Sequence, residues 1–291
     1  MKLNLLRTAL VLFILVTASG AQAESSVWAA NSSKATVYFA GSFHMLRASD
    51  YPLPAEFFSA YQDSQKVIFE VPPGEMEKLE NAEKFLSAAI YSDGTTLKEH
   101  ITSEAYAKAE SFCNEQNYPI AQYRFFKPTF FVMTLTILEM NRIGADPQKG
   151  VDYFFKQKAL SDGKATGSLE TMEEQIRLLA SIDANVGSDQ ILEAIDEFKQ
   201  IDAKLNEILA AWRKGDETKM EELYIQDLKT YPKLYRTLVV ERNNKWVKDI
   251  ERYLHGSENT MVVVGAAHLA GADGLVNLLR KRGYKVVKLN K

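Results

Sequence analysis

Cysteine is almost absent: Cys113 is the only one in 291 residues. One thiol excludes an intramolecular disulfide. With no histidine beside it in "ESFCNEQ", it reads as a half-buried packing group rather than a nucleophile. A charge excess is also missing. The 35 basic and 38 acidic residues are well mixed, sum to −3 and form no basic stripe. Phosphate backbones require such a stripe, so nucleic acid is not an expected partner. Past the first two dozen residues no apolar run reaches the roughly 20 residues that span a bilayer. Histidine is scarce, with four in the chain, so where each one falls carries information.

The first residues have the form of an export signal. Lys2 and Arg7 supply a positive start, Ala9–Ala18 a short apolar run, and Ala21–Ala23 ("AQA") a small-x-small cleavage site. This predicts a signal peptide over residues 1–23, a mature chain from about Glu24, and a periplasmic or secreted location. No membrane anchor is expected after cleavage.

The remainder predicts an α/β fold in one domain, 24–291. Ser25–His44 reads as a hairpin around the turn cluster "NSSK", Leu53–Ser64 as a helix and Lys66–Val71 as a strand. From about Glu75 to Arg252 helical patterns dominate. Thr96–Phe112, Tyr123–Met140 (kinked or divided at Pro128), Asp189–Asp216 and Tyr235–Leu254 each read as a helix. Ala165–Glu170 is a strand candidate within that stretch. A strand ending near Gly265, a helix over Ala272–Gly283 and a strand over Tyr284–Leu289 close the chain. The expectation is a small, mainly parallel sheet, with paired strand–Gly-x-x-His–helix units at both ends and a helical elaboration at about 75–250.

Two histidines share one local setting. "VYFAGSFH" ends a β-rich run at Gly41 and reaches His44; "MVVVGAAH" ends one at Gly265 and reaches His268. Open parallel sheets bind ligands beyond the carboxyl ends of their strands. A glycine there allows positive φ or close approach of a ligand. If the strands are neighbours, the two imidazoles face one site, as a metal pair or an acid/base pair. His100 and His255, in polar helical stretches, read as surface residues. Glu70 and Glu170 also end strand-like runs, and Gln175 follows near the same rim. Arg242 and Asn243 lie on a helix with one apolar face, and Arg242 suits a carboxylate or an oxyanion. Two His and two Glu fit zinc, manganese or cobalt, with His44, Glu70 and His268 as ligands. They equally fit metal-free acid/base chemistry.

The blocks "VYFAGSFHML", "YPLP", "KVIFEV", "GVDYFFKQKALSDGKATGSLETMEEQ", "ERNNKWVKDI" and "MVVVGAAHLAGADGLVNLLRKRGYKV", in this order, resemble the TraB/PrgY/GumN family, to which the Tiki metalloproteases look related. The resemblance implies an α/β core whose site residues are His44, Glu70, Glu170, Arg242 and His268, with Gly41 and Gly265 as backbone turns. It implies a metal-dependent hydrolase, with a peptidase as the Tiki-like reading. A non-catalytic protein that sequesters a peptide or another ligand in the same cleft is the alternative. Ser42 and Phe43 stand where the family more often has Thr-Ile. No C-terminal membrane anchor of the kind some relatives carry is expected.

Overall fold

A computed structural model describes residues 25–182 and 186–290; the expected signal peptide, residues 1–23, lies outside the described residues. Six strands form one sheet: β1 (Val27–Asn31), β2 (Thr36–Ser42), β3 (Lys66–Phe69), β4 (Ala165–Ser168), β5 (Thr260–Gly265) and β6 (Lys285–Lys288), in the order β4-β3-β5-β2-β1-β6. β4, β3, β5 and β2 are mutually parallel, and β1 runs antiparallel to both β2 and β6. Helix α1 (Ala55–Asp63) joins β2 to β3. Then α2 (Leu79–Ala89), α3 (Leu97–His100), α4 (Ser103–Glu115), α5 (Pro128–Arg142) and α6 (Val151–Ser161) precede β4. Between β4 and β5 lie α7 (Met172–Ile182), α8 (Ser188–Phe198), α9 (Ile201–Lys214), α10 (Glu217–Glu221), α11 (Asp227–Lys229), α12 (Pro232–Tyr235) and α13 (Glu241–His255). Helix α14 (Leu275–Lys281) joins β5 to β6. The fold is thus the expected mixed α/β, mostly parallel, with a helical middle.

The two Gly-x-x-His strands are immediate neighbours. β5 lies between β2 and β3, with Gly41 opposite Val264 and Ser42 opposite Gly265. Met261–Val264 are all buried, which is why this strand is a continuous β-branched run with no polar alternation. From β2 the chain crosses towards β3, and from β5 towards β6, in opposite directions along the sheet. That reversal opens a crevice at the carboxyl ends of adjacent strands.

Several helix boundaries differ from expectation. Pro128 neither kinks nor divides a helix; it is the first residue of α5, where its missing N–H costs nothing. The Thr96–Phe112 stretch breaks at Ile101–Thr102, where the Thr102 side chain accepts the Ala105 N–H and caps α4. Asp189–Asp216 is two helices with Lys199 and Gln200 between them. The reason is packing. Ile191, Ile195 and Phe198 join a helical core with Phe112, Phe131 and Leu135, whereas Leu205, Leu209 and Trp212 enter the core against the sheet. One straight helix cannot face both. Arg236–Val240 forms a π-helical turn leading into α13, a widening often found beside functional sites.

The amino end of α6 is pressed against the turn after β2, with Val151 N–H donating to Phe43 O at 2.8 Å. A Cβ at Gly150 would lie 2.4 Å from His44 O. Gly150→Ala is therefore expected to lower stability by about 1–3 kcal/mol through overpacking. Urea unfolding checks this, and an unchanged midpoint would contradict the close approach.

Candidate functional site

All four strand-end residues reach the same edge of the sheet. Glu70 follows β3 directly, and its Oε1 accepts the Gly265 N–H at 2.6 Å. Glu170 stands two residues past β4, beside Glu70, with its N–H on Glu70 O at 2.9 Å. His268 closes the short helical turn Ala266–His268 after β5. His44 lies two residues past β2.

Arg242 ties three of them together. Its Nη2 donates to Glu70 Oε2 and to Glu170 Oε1, both at 2.6 Å, and its Nε to Glu170 Oε2 at 3.2 Å. Nη1 lies 2.9 Å from His268 Nε2. Nη2 also approaches Gln175 Oε1 at 3.3 Å. The guanidinium lies 4.4 Å from the centre of the Trp246 ring, and only 11% of its side chain is exposed.

This network dictates the protonation of His268. Asn243, fully buried, donates its amide protons to His268 O and Asp273 O at 3.2 and 2.8 Å. Its Oδ1 is therefore the atom 2.7 Å from His268 Nδ1, and Nδ1 must carry the proton. Nε2 is left as an acceptor, which Arg242 satisfies. Burial is the main reason that His268 resists protonation. The opposing charge of Glu70 does not overcome burial together with Arg242 and His44, and its pKa falls to about 3.

His44 has the opposite character. Its side chain is 66% exposed, and its Nδ1 lies 3.0 Å from Asp152 Oδ1. The same oxygen accepts the Ser42 hydroxyl at 2.6 Å, and Ser42 Oγ accepts the Asp152 N–H at 3.2 Å. Asp152 raises the pKa of His44 above the ordinary value, helped by Glu70 and opposed by Arg242. Sequence reading did not single out Asp152. It stands in the first turn of α6, where a short acidic residue reads as helix capping; only the tertiary fold brings it to His44. Ser42 retains the hydroxyl that threonine would offer at this position.

The two glutamates diverge. Burial would raise the pKa of Glu70, but the Arg242 and His44 cations and the Gly265 N–H outweigh it and hold the carboxyl well below the usual range. Glu170 is shifted upward, chiefly by burial, with Arg242 opposing and Glu70 adding to the rise.

A cleft of about 340 Å³ opens in front of this edge. His44, Glu70, Gly265 and Gln175 line it together with Phe69, Val71–Gly74, Pro147 and Tyr153. A Cβ at Gly265 would lie 3.3 Å from Glu70 Oε1, 3.7 Å from His268 Cδ2 and 3.9 Å from His44 Nε2. The bare backbone at Gly265 thus leaves a small space shared by these side chains. Neither Gly41 nor Gly265 has positive φ, so close approach is the reason for both. A Cβ at Gly41 would meet Ser26, Ala266 and Leu269, so Gly41 packs the sheet beneath the site. Asn243 orients His268. Cys113 is buried in the helical core, and burial pushes its thiol to about 11. His100 and His255 are exposed and outside the cleft.

The donor atoms do not form a three-ligand metal set. His44 Nε2 and Glu70 face the space above Gly265, but both ring nitrogens of His268 are hydrogen-bonded and the Arg242 cation occupies its Nε2 side. Among the described residues no group of three His, Cys, Asp or Glu side chains is arranged to hold an ion.

A family model spans residues 26–288, nearly the whole chain, and with it every residue of this site. The chain belongs to the TraB/PrgY/gumN family. No curated protein and no solved structure matches it. The family match covers both Gly-x-x-His turns and the helical middle together.

The His268 geometry has a consequence for stability. Unfolded, the ring takes up a proton near 6.5; folded, it resists down to about 3. Its contribution is therefore complete above pH 6.5 and is lost as pH falls below it. His44, with its raised folded pKa, opposes this slope near pH 6.5, where its unfolded ring is half protonated, and adds none by pH 5, where both states are protonated. Urea stability is expected to fall from pH 6.5 to 5 with a slope approaching about 1.4 kcal/mol per unit, and His268→Gln to flatten that slope. A slope retained in the variant would contradict the assignment.

Proposed function

We propose that this protein is a hydrolase of peptide or ester carbonyls, working by acid/base chemistry in the cleft above Gly265. The observation that supports this is the His44–Asp152 pair, whose free Nε2 faces Glu70 across a glycine with no side chain. With the proton on Nδ1 held by Asp152, Nε2 takes a proton from a water attacking the carbonyl carbon and returns it to the leaving nitrogen or oxygen as the carbonyl's bond to that atom breaks. Glu70, ionised, stabilises the imidazolium so formed and helps to orient the water. The amide of Gln175, which lines the cleft, donates to the developing oxyanion. Arg242 acts from behind: it holds Glu70 and Glu170 and adds to the burial that keeps His268 neutral. The export-signal pattern over residues 1–23 supports a periplasmic or extracellular location as part of this proposal.

Manganese, cobalt or zinc would find His44 Nε2 and Glu70 as donors here. His268 could join them only if Arg242 gave up its Nη1 contact. A sequestering protein would share the cleft but show no turnover.

The expected results are hydrolysis of unblocked peptide or ester libraries by the mature protein, unchanged by a chelator. His44→Ala lowers the rate by about 100-fold or more. The rate rises with pH as His44 loses its proton, and Asp152→Asn moves that rise to lower pH because the anion that raises the pKa is gone. Full activity in His44→Ala would overturn the proposal. So would loss on chelation with rescue by manganese, cobalt or zinc, which would restore the metal reading.

A further inference from the structure

We infer that Lys156 is the specificity residue of the cleft and recognises a carboxylate on the substrate, a place held by the Glu77 side chain when no substrate is bound. The inference rests on the hydrolase reading only for which substrate atom is aligned; carboxylate binding itself does not require turnover. Asp152 and Lys156 are one helical turn apart on α6, and both line the cleft. Four residues of α-helix rise about 6 Å. A substrate carbonyl beside His44 would therefore place a group one or two residues away against the Lys156 ammonium.

The charges of the cleft single out this lysine. Glu70 is neutralised by Arg242, and Asp152 is paired with His44. Lys156 Nζ is paired with Glu77, and no second carboxylate lies within ion-pair distance of it among the described residues. The two partners are unequal. The Lys156 side chain is 17% exposed, while Glu77 is 62% exposed. An exposed carboxylate exchanges its protein partner for water at little cost, whereas a mostly covered ammonium does not.

Their attachment differs as well. Lys156 is in the middle of the helix that carries Asp152. Glu77 belongs to the three-residue turn Glu75–Glu77, which follows Pro72, Pro73 and Gly74; it also lines the cleft but on a separate segment from α6. Gly74 has φ +86 and Lys78 is extended, so this turn is a separate strap between β3 and α2. The remaining wall residues, Phe69, Val71, Pro72, Pro73, Val263 and Val264, give an apolar surround in which one cation fixes orientation.

A carboxylate can come from the substrate's C-terminus or from an acidic side chain, and two matched pairs of probes distinguish these. N-acetyl-Ala-Ala is compared with its C-terminal amide, and N-acetyl-Ala-Asp-amide with N-acetyl-Ala-Asn-amide. Calorimetric binding to the full mature His44→Ala protein prevents cleavage from interfering. A failure of hydrolysis therefore leaves the result readable. Within at least one pair the acid is expected to bind about tenfold more tightly or better, the size of one hydrogen bond to a charged group. Adding Glu77→Gln strengthens acid binding and leaves the neutral probe unchanged. Adding Lys156→Gln removes the preference, and Lys156→Arg retains it. No preference in either pair, no binding of any probe, or a preference that survives Lys156→Gln would overturn the inference.

Discussion

A single guanidinium organises the carboxyl edge of this sheet. Arg242 bridges Glu70, Glu170 and His268, which come from three different strand ends, and it is itself almost covered. A buried cation is tolerated only when its donors are satisfied. Two carboxylates and one imidazole nitrogen do this here, while Trp246 covers the guanidinium face. Removing one partner from a buried pair of this kind costs about 3–5 kcal/mol. The ends of β3, β4 and β5 are thus fixed relative to α13, and the π-helical turn just before Arg242 sets the approach of that helix.

The two Gly-x-x-His turns are alike in sequence and in strand position, yet they produce unlike histidines. At His268, Asn243 fixes the Nδ1 proton, Arg242 takes Nε2, and burial keeps the ring neutral. At His44, Asp152 fixes the other ring orientation and Nε2 is left towards the cleft. One ring serves as structure behind the site and the other as the proton carrier within it. Glu70 connects them: it receives Gly265 N–H and Arg242, and its charge acts on both histidines.

Much of this could be read from residue patterns. The β-branched run before Gly265 marked a buried parallel strand, and the paired Gly-x-x-His turns marked neighbouring strand ends, because local pattern and sheet position are directly coupled. Glu70, Glu170, Arg242 and His268 are brought together as expected. Less legible was what depends on tertiary partners. Asp152 looks like any acidic residue in a first helical turn. Asn243 is one polar residue on a helix with an apolar face, and nothing local marks it as the partner of His268. The break at Lys199–Gln200 has no proline or glycine to mark it, since it arises from two cores claiming the two halves of one amphipathic stretch. Pro128 was ambiguous for the opposite reason: the same residue starts a helix or breaks one, depending on what precedes it.

The central claim is that the two histidines are held in different protonation states by different partners. Nitrogen-15 correlation spectroscopy of the imidazole rings between pH 5 and 9 tests it most directly. The account predicts that His268 keeps a proton on Nδ1, has a bare Nε2 and does not titrate over this range, while His44 titrates above 6.5. A His268 ring that titrates near 6.5, or that carries its proton on Nε2, would contradict it.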